Sequence, residues 1–116
     1  MLVQVKTDNH IEGTEKLQKW VTDDVTAALS RFTPQLTRVE VYLSDLNSHK
    51  TVDGDKQCKV EACLAGLDPI VVTKNANEID VALSAALDAM ILTLDSRLEK
   101  LQQKKGRTPM GGEPGI

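Results

Sequence analysis

Two cysteines, two histidines and a few acidic loop residues are the side chains of this 116-residue chain with the widest chemical range. Their spacing decides what they can do. Cys58 and Cys63 lie five apart in a stretch that alternates like a strand. At ~3.3 Å per residue their Cα atoms are roughly 16 Å apart, beyond the reach of a disulfide. An odd separation also sends them to opposite faces, so they cannot ligate one metal together. His10 and His49 fall in turn-like segments without zinc-site spacing. Ser44-Asp45 and Asp53-Gly54-Asp55 read as loop composition, and the latter lacks the remaining ligands of a calcium loop. Gly111-Gly112 has no helix after it and cannot form a phosphate cradle. No nucleophile with its base, metal cluster or cofactor motif emerges, so the expectation is a non-catalytic protein that needs no cofactor. Both cysteines are expected reduced, with Cys58 in the core.

Charge is the stronger signal. Residues 97–107 carry five cations (Arg97, Lys100, Lys104, Lys105, Arg107) against Glu99 alone. The rest of the chain holds nine cations and sixteen anions, and the whole has a net charge of −3. An acidic body with a basic end suits a polar, phosphate-bearing partner. Cations also suit a helix C-terminus, where they meet the macrodipole. The candidate RNA contacts are Arg97, Lys100, Lys104 and Lys105, with Lys56, Lys59 and Lys74 from strands. Aromatics are scarce (Trp20, Phe32 and Tyr42), which disfavours an RNA reader that stacks bases on a sheet.

The elements that must position these groups follow from periodicity. Ile79, Leu83, Leu87, Met90, Leu94, Leu98 and Leu101 recur in steps of three and four. They predict a long helix over 75–105, roughly 45 Å at 1.5 Å per residue. Asn75 with Glu78 reads as its capping box, and Gly106 with Pro109 as its stop. An earlier helix is predicted over 14–32 from Leu17, Val21, Val25, Ala28 and Phe32, with Trp20 and Leu29 flanking. Strands are predicted over 2–7, 38–46, 56–65 and 70–74, the last two joined by the tight Gly66-Leu67-Asp68-Pro69 connection. The expected fold is α+β in the order β-α-β-β-β-α, a four-stranded sheet with two helices packed on one face. Its open face would show Gln4, Lys6, Arg38, Glu40, Tyr42, Lys59, Glu61, Val71 and Thr73, a mixed and solvated surface. A single domain over 1–105 and a disordered Gly- and Pro-rich tail over 106–116 are expected. No apolar run approaches the ~18 residues of a membrane span, and the charged start does not read as a signal peptide. A cytoplasmic protein is expected.

The element order resembles the ribosome hibernation-promoting and ribosome-associated inhibitor family, also called sigma modulation proteins. The resemblance lies in Ile11-Glu12-Gly13-Thr14-Glu15, in Arg38-Val39-Glu40-Val41-Tyr42-Leu43-Ser44 and in Val60-Glu61-Ala62. It continues in the last helix, which opens after Asn75 with paired alanines, and it covers roughly residues 1–105. It implies binding to rRNA of the small ribosomal subunit, across the channel for messenger and transfer RNA. Translation would be blocked during stress or stationary phase, with no membrane or DNA partner. This chain departs from the family pattern at Asp23-Asp24, where relatives carry lysine, and its last helix is basic only at its end. Each lost phosphate contact lowers affinity and flattens the salt dependence. The dimerisation domain of the long family members is not expected here. The alternative reading is a protein-binding or self-associating module, using the acidic surface around Asp23 and Asp24 or a sheet edge. Oligomeric state is left open by the sequence.

Overall fold

In the computed structural model, residues 1–8, 11–45 and 55–106 are described, the last six by backbone alone. The chain forms β1 (Leu2–Thr7), α1 (Glu15–Ala28), a 3-10 turn (Ser30–Phe32), β2 (Leu36–Asp45), β3 (Lys56–Leu64), β4 (Ile70–Ala76) and α2 (Ile79–Gly106). This is the α+β order expected from periodicity. His10, His49, Asp53-Gly54 and the segment 107–116, including the tail expected to be disordered, lie outside the described residues.

The sheet order is β1-β2-β3-β4. β1 runs parallel to β2, a pairing that requires a crossover, and α1 supplies it. β2, β3 and β4 form an antiparallel meander. The β3–β4 connection turns at Gly66, whose φ of 76° is a conformation that favours glycine. Alternation then sorts every strand. Val39, Val41, Leu43, Cys58, Val60, Ala62 and Ile70 are buried beneath the helices, while their sequence neighbours face the other side.

Each helix closes one side of that core. Thr14 caps α1, its Oγ1 accepting from the Leu17 amide at 3.1 Å. The expected continuous helix to Phe32 instead ends at Ala28 and tightens into the 3-10 turn. The tightening brings Leu29 fully inside beside Val21 and Val25, and leaves Ala28 only half-buried. In α2, Ala82, Leu83, Ala86, Leu87, Met90 and Leu94 are buried, with Ile79 and Leu98 half-buried at the two ends of that stripe. The expected cap at Asn75 does not form. β4 continues through Ala76, so Asn75 is a strand residue whose Oδ1 accepts from Gln57 Nε2 at 3.5 Å. The helix opens instead at Glu78, whose carbonyl accepts from the Ala82 amide at 3.0 Å. Sheet pairing at two further residues outweighs the local capping motif. The helix is described as far as Gly106, and the stop expected at Gly106 and Pro109 falls at the edge of the described residues.

Candidate nucleic-acid interface

The sheet register fixes where each candidate cation sits. Ala76 of β4 lies opposite Lys56, and α2 begins three residues later. The other end of the sheet holds the Leu36–Leu64 and Ala62–Ile70 pairs, with the 3-10 turn beside it. Arg31 in that turn grips Asp95 of α2 by donating from Nη1 and Nη2 to the two carboxylate oxygens, at 2.8 and 2.7 Å. This bidentate bond to Arg31 holds the Asp95 carboxyl below its ordinary pKa. It also places Arg97 and Lys100, both exposed, at the end of the sheet away from Lys56. Lys104 and Lys105 continue the same helix, and their side chains are outside the described residues.

The seven candidates therefore do not form one cluster. Lys74 is in register with the buried Cys58, so it belongs to the helix side of the edge strand β4, where it is exposed. Lys56 sits at the same end and is engaged by Asp45 at 3.4 Å and Asp55 at 3.3 Å. Desolvation opposes its charge, but the hydrogen bonds to Asp55 and Asp45 outweigh that and raise its pKa. Of the five candidates whose side chains are described, Lys59 alone lies on the open face of the sheet.

That open face is more organised than the solvated surface expected from alternation. Lys6, Tyr42, Lys59 and Thr73 form one row across all four strands. The Lys6 and Lys59 ammonium groups stand 5.4 and 5.0 Å from the centroid of the Tyr42 ring. Gln4, Glu40, Glu61 and Val71 form the next row, and Leu2, Arg38 and Cys63 the one after it. Glu40 is only 7% exposed although it faces outward. Its carboxylate accepts from the Tyr42 hydroxyl, and it pairs with Arg38 Nε at 2.9 Å and Lys6 Nζ at 3.6 Å. The Tyr42 hydroxyl, aided by the charges of Lys6 and Arg38, keeps its pKa low despite desolvation. The same hydrogen bond raises that of Tyr42. Arg38, Glu40 and Tyr42 could have been grouped from their i, i+2, i+4 spacing in one strand. Lys6 could not, because its place depends on the β1–β2 register.

The helix layer is mixed with an acidic balance. α1 exposes Glu15, Asp23 and Asp24 beside Lys16 and Lys19, and α2 exposes Asp80, Asp88 and Glu99 beside Arg97 and Lys100. Lys19 is tied to Asp23 at 3.2 Å. Asp24 and Asp88 flank an open cleft between the helices, floored by Ala27, Ala28 and Leu87. A second open cleft of about 440 Å³ is lined by Arg31, Phe32, Gln35, Asp95, Leu98 and Glu99. It gathers an ion pair and a ring, not a nucleophile with a base. No group of three or more metal-ligating side chains occurs among the described residues. No helix there is long and apolar enough to cross a membrane.

The cysteines behave as their faces dictate. Burial pushes the Cys58 thiol up to about 12, so almost none of it is thiolate near neutrality. Cys63 is half-buried on the open face, with Arg38 Nη2 donating to its sulfur at 3.8 Å. A thiol reagent at pH 8 is expected to modify one equivalent, Cys63, in the native protein and the second only on unfolding. Loss of the fast phase in Cys63→Ser checks the assignment; rapid reaction of Cys58 in that variant would show that the sheet opens.

Among solved structures, the chain resembles the N-terminal domain of Protein Y from Thermus thermophilus with a TM-score of 0.62 and 16% identity. That match covers 78% of this chain and 91% of the other. It also resembles a ribosomal subunit interface protein from Coxiella burnetii, with a TM-score of 0.61 and 11% identity over 88% of this chain and 98% of that one. At such identities the likeness is one of fold. No curated protein sequence matches the chain. The sequence profile of the sigma 54 modulation protein / S30EA ribosomal protein family matches residues 3–105, almost the whole length. This chain belongs to the sigma 54 modulation protein / S30EA ribosomal protein family.

Proposed function

We propose that this protein is a non-catalytic ribosome-binding factor of the hibernation-promoting type. It contacts rRNA of the small subunit in the cytoplasm and inhibits translation during stress or stationary phase. The observation that carries this reading is the family match over residues 3–105. The fold shared with a ribosomal subunit interface protein supports it, and so does the exposure of Arg97 and Lys100 at the end of α2. Lys104 and Lys105 extend that cationic stretch in sequence, while Lys59 and Lys74 supply exposed ammonium groups elsewhere on the domain. Lys56, held by two carboxylates, contributes least. The acidic cleft between the helices favours the second reading, a module that kept the fold and binds a protein instead.

Co-sedimentation of the purified chain with small ribosomal subunits separates the two. Association at low salt that fades steeply at moderate salt is expected, because phosphate contacts release counterions. A folded protein that stays in the supernatant at low salt would overturn the ribosome reading and leave the protein-binding module.

A further inference from the structure

The two faces of this domain differ in exposed charge, and that difference gives it an orientation. On the open face three cations, Lys6, Arg38 and Lys59, reach solvent, and one of the two carboxylates there, Glu40, is buried beneath them. On the helix face Asp24 and Asp88 are exposed on either side of the cleft between the helices, and Asp80 is exposed in the first turn of α2. We infer that the open sheet face, through Lys6, Arg38 and Lys59, seats an RNA strand by its phosphates, with the middle of the helix layer turned away from it. This rests on the ribosome reading above and assigns the face that it uses.

Charge complementarity selects this occupant over an acid-bearing or apolar one on the helix side. Lys6, Arg38 and Lys59 stand against Glu40 and Glu61, so the face keeps an excess of one positive charge. Lys6 carries three N–H donors and Arg38 five, more than Glu40 and the Cys63 sulfur consume. Glu40 is a positioning residue. By holding Lys6, Arg38 and the Tyr42 hydroxyl in place, it lowers the entropy lost when a phosphate arrives. Lys6 and Lys59 are two strands apart, ~10 Å across the sheet, and flank Tyr42. The lysines already cover the Tyr42 ring, so the face contacts backbone phosphates and does not stack bases. Binding should then be steeply dependent on salt and nearly indifferent to base identity.

The test uses the full chain. Lys6→Gln/Lys59→Gln removes two cations from exposed positions and adds no repulsion to Glu40. Its affinity for small subunits is expected to fall at least about tenfold, and its salt slope to flatten by about 1.4 to 1.8. Lys16→Gln/Lys19→Gln on α1 changes net charge equally and is expected to bind like the wild type. If the wild type binds and the sheet variant matches it, the face assignment is wrong while the ribosome reading stands. If the wild type does not bind at low salt, both fail. Amide shifts on adding a mixed-sequence single-stranded RNA oligonucleotide give a second readout. Shifts on the strands around Lys6, Tyr42 and Lys59 support the assignment; shifts confined to α1 and α2, or none at all, overturn it.

Discussion

Leu94→Ala is expected to destabilise the fold by roughly 2–5 kcal/mol, the range for truncating a buried leucine. Leu94 is fully buried, and it is the last fully buried residue of α2 among the described side chains. Beyond it the helix is held by half-buried Leu98 and by the Arg31–Asp95 pair, whose side chains are 59% and 45% exposed. An ion pair that wet is a weak anchor. The lost contacts are therefore not replaced from nearby, and the cavity lies directly under the segment that carries Arg97 and Lys100. Urea unfolding checks the prediction: the midpoint should drop with the slope unchanged. Leu92→Ala is the control on the same helix. Leu92 is 72% exposed, so its truncation should stay within about 0.5 kcal/mol of wild type. Equal effects at both positions would show that α2 is not seated on the sheet as described.

Leu92 and Leu94 also show why the fold was legible. The stripe from Leu83 to Leu94 has helical spacing, and Leu92 falls off it, so periodicity alone separates the buried leucine from the exposed one. Alternation did the same for Val39, Val41 and Leu43 against Arg38, Glu40 and Tyr42. Where the reading failed, a distant contact outweighed a local signal. Asn75 with Glu78 has the form of a capping box, yet β3 offers Asn75 a strand partner in Gln57 and the sheet takes it. Helical spacing sets Leu29 beside the stripe, and the 3-10 turn rotates it into the core.

The interface was harder to read for the same reason. Charge alone groups Lys56, Lys59, Lys74 and Arg97, but strand parity and helix direction place them on different faces and at opposite ends. Lys56 is committed to Asp45, a strand away in register and eleven residues away in sequence. The pair Lys6 and Glu40 depends on a parallel register between strands separated by a whole helix. No local pattern encodes that register, because it is set by how α1 packs across the sheet. Composition showed that cations were present; only the topology shows which of them share a surface.

Arg97→Glu/Lys100→Glu is expected to produce the largest loss of ribosome affinity of any exposed pair outside the open face. Both side chains are exposed, and neither contributes to the core, so the urea midpoint should remain close to wild type. A hydrogen bond to a charged group contributes about 1.5–3 kcal/mol, which is tenfold or more in affinity for each contact removed. Reversal adds repulsion to that loss, and it extends the acidic run of Asp95 and Glu99 along the same helix. Two contacts fewer should also flatten the plot of log affinity against log salt by about 1.4 for single-stranded RNA and 1.8 for duplex. The slope is the more discriminating readout, because a variant that had merely loosened its fold would lose affinity at every salt concentration without changing the number of ions released. Unchanged affinity and slope would remove Arg97 and Lys100 from the interface and leave the sheet face as the leading cationic surface for RNA among the described residues.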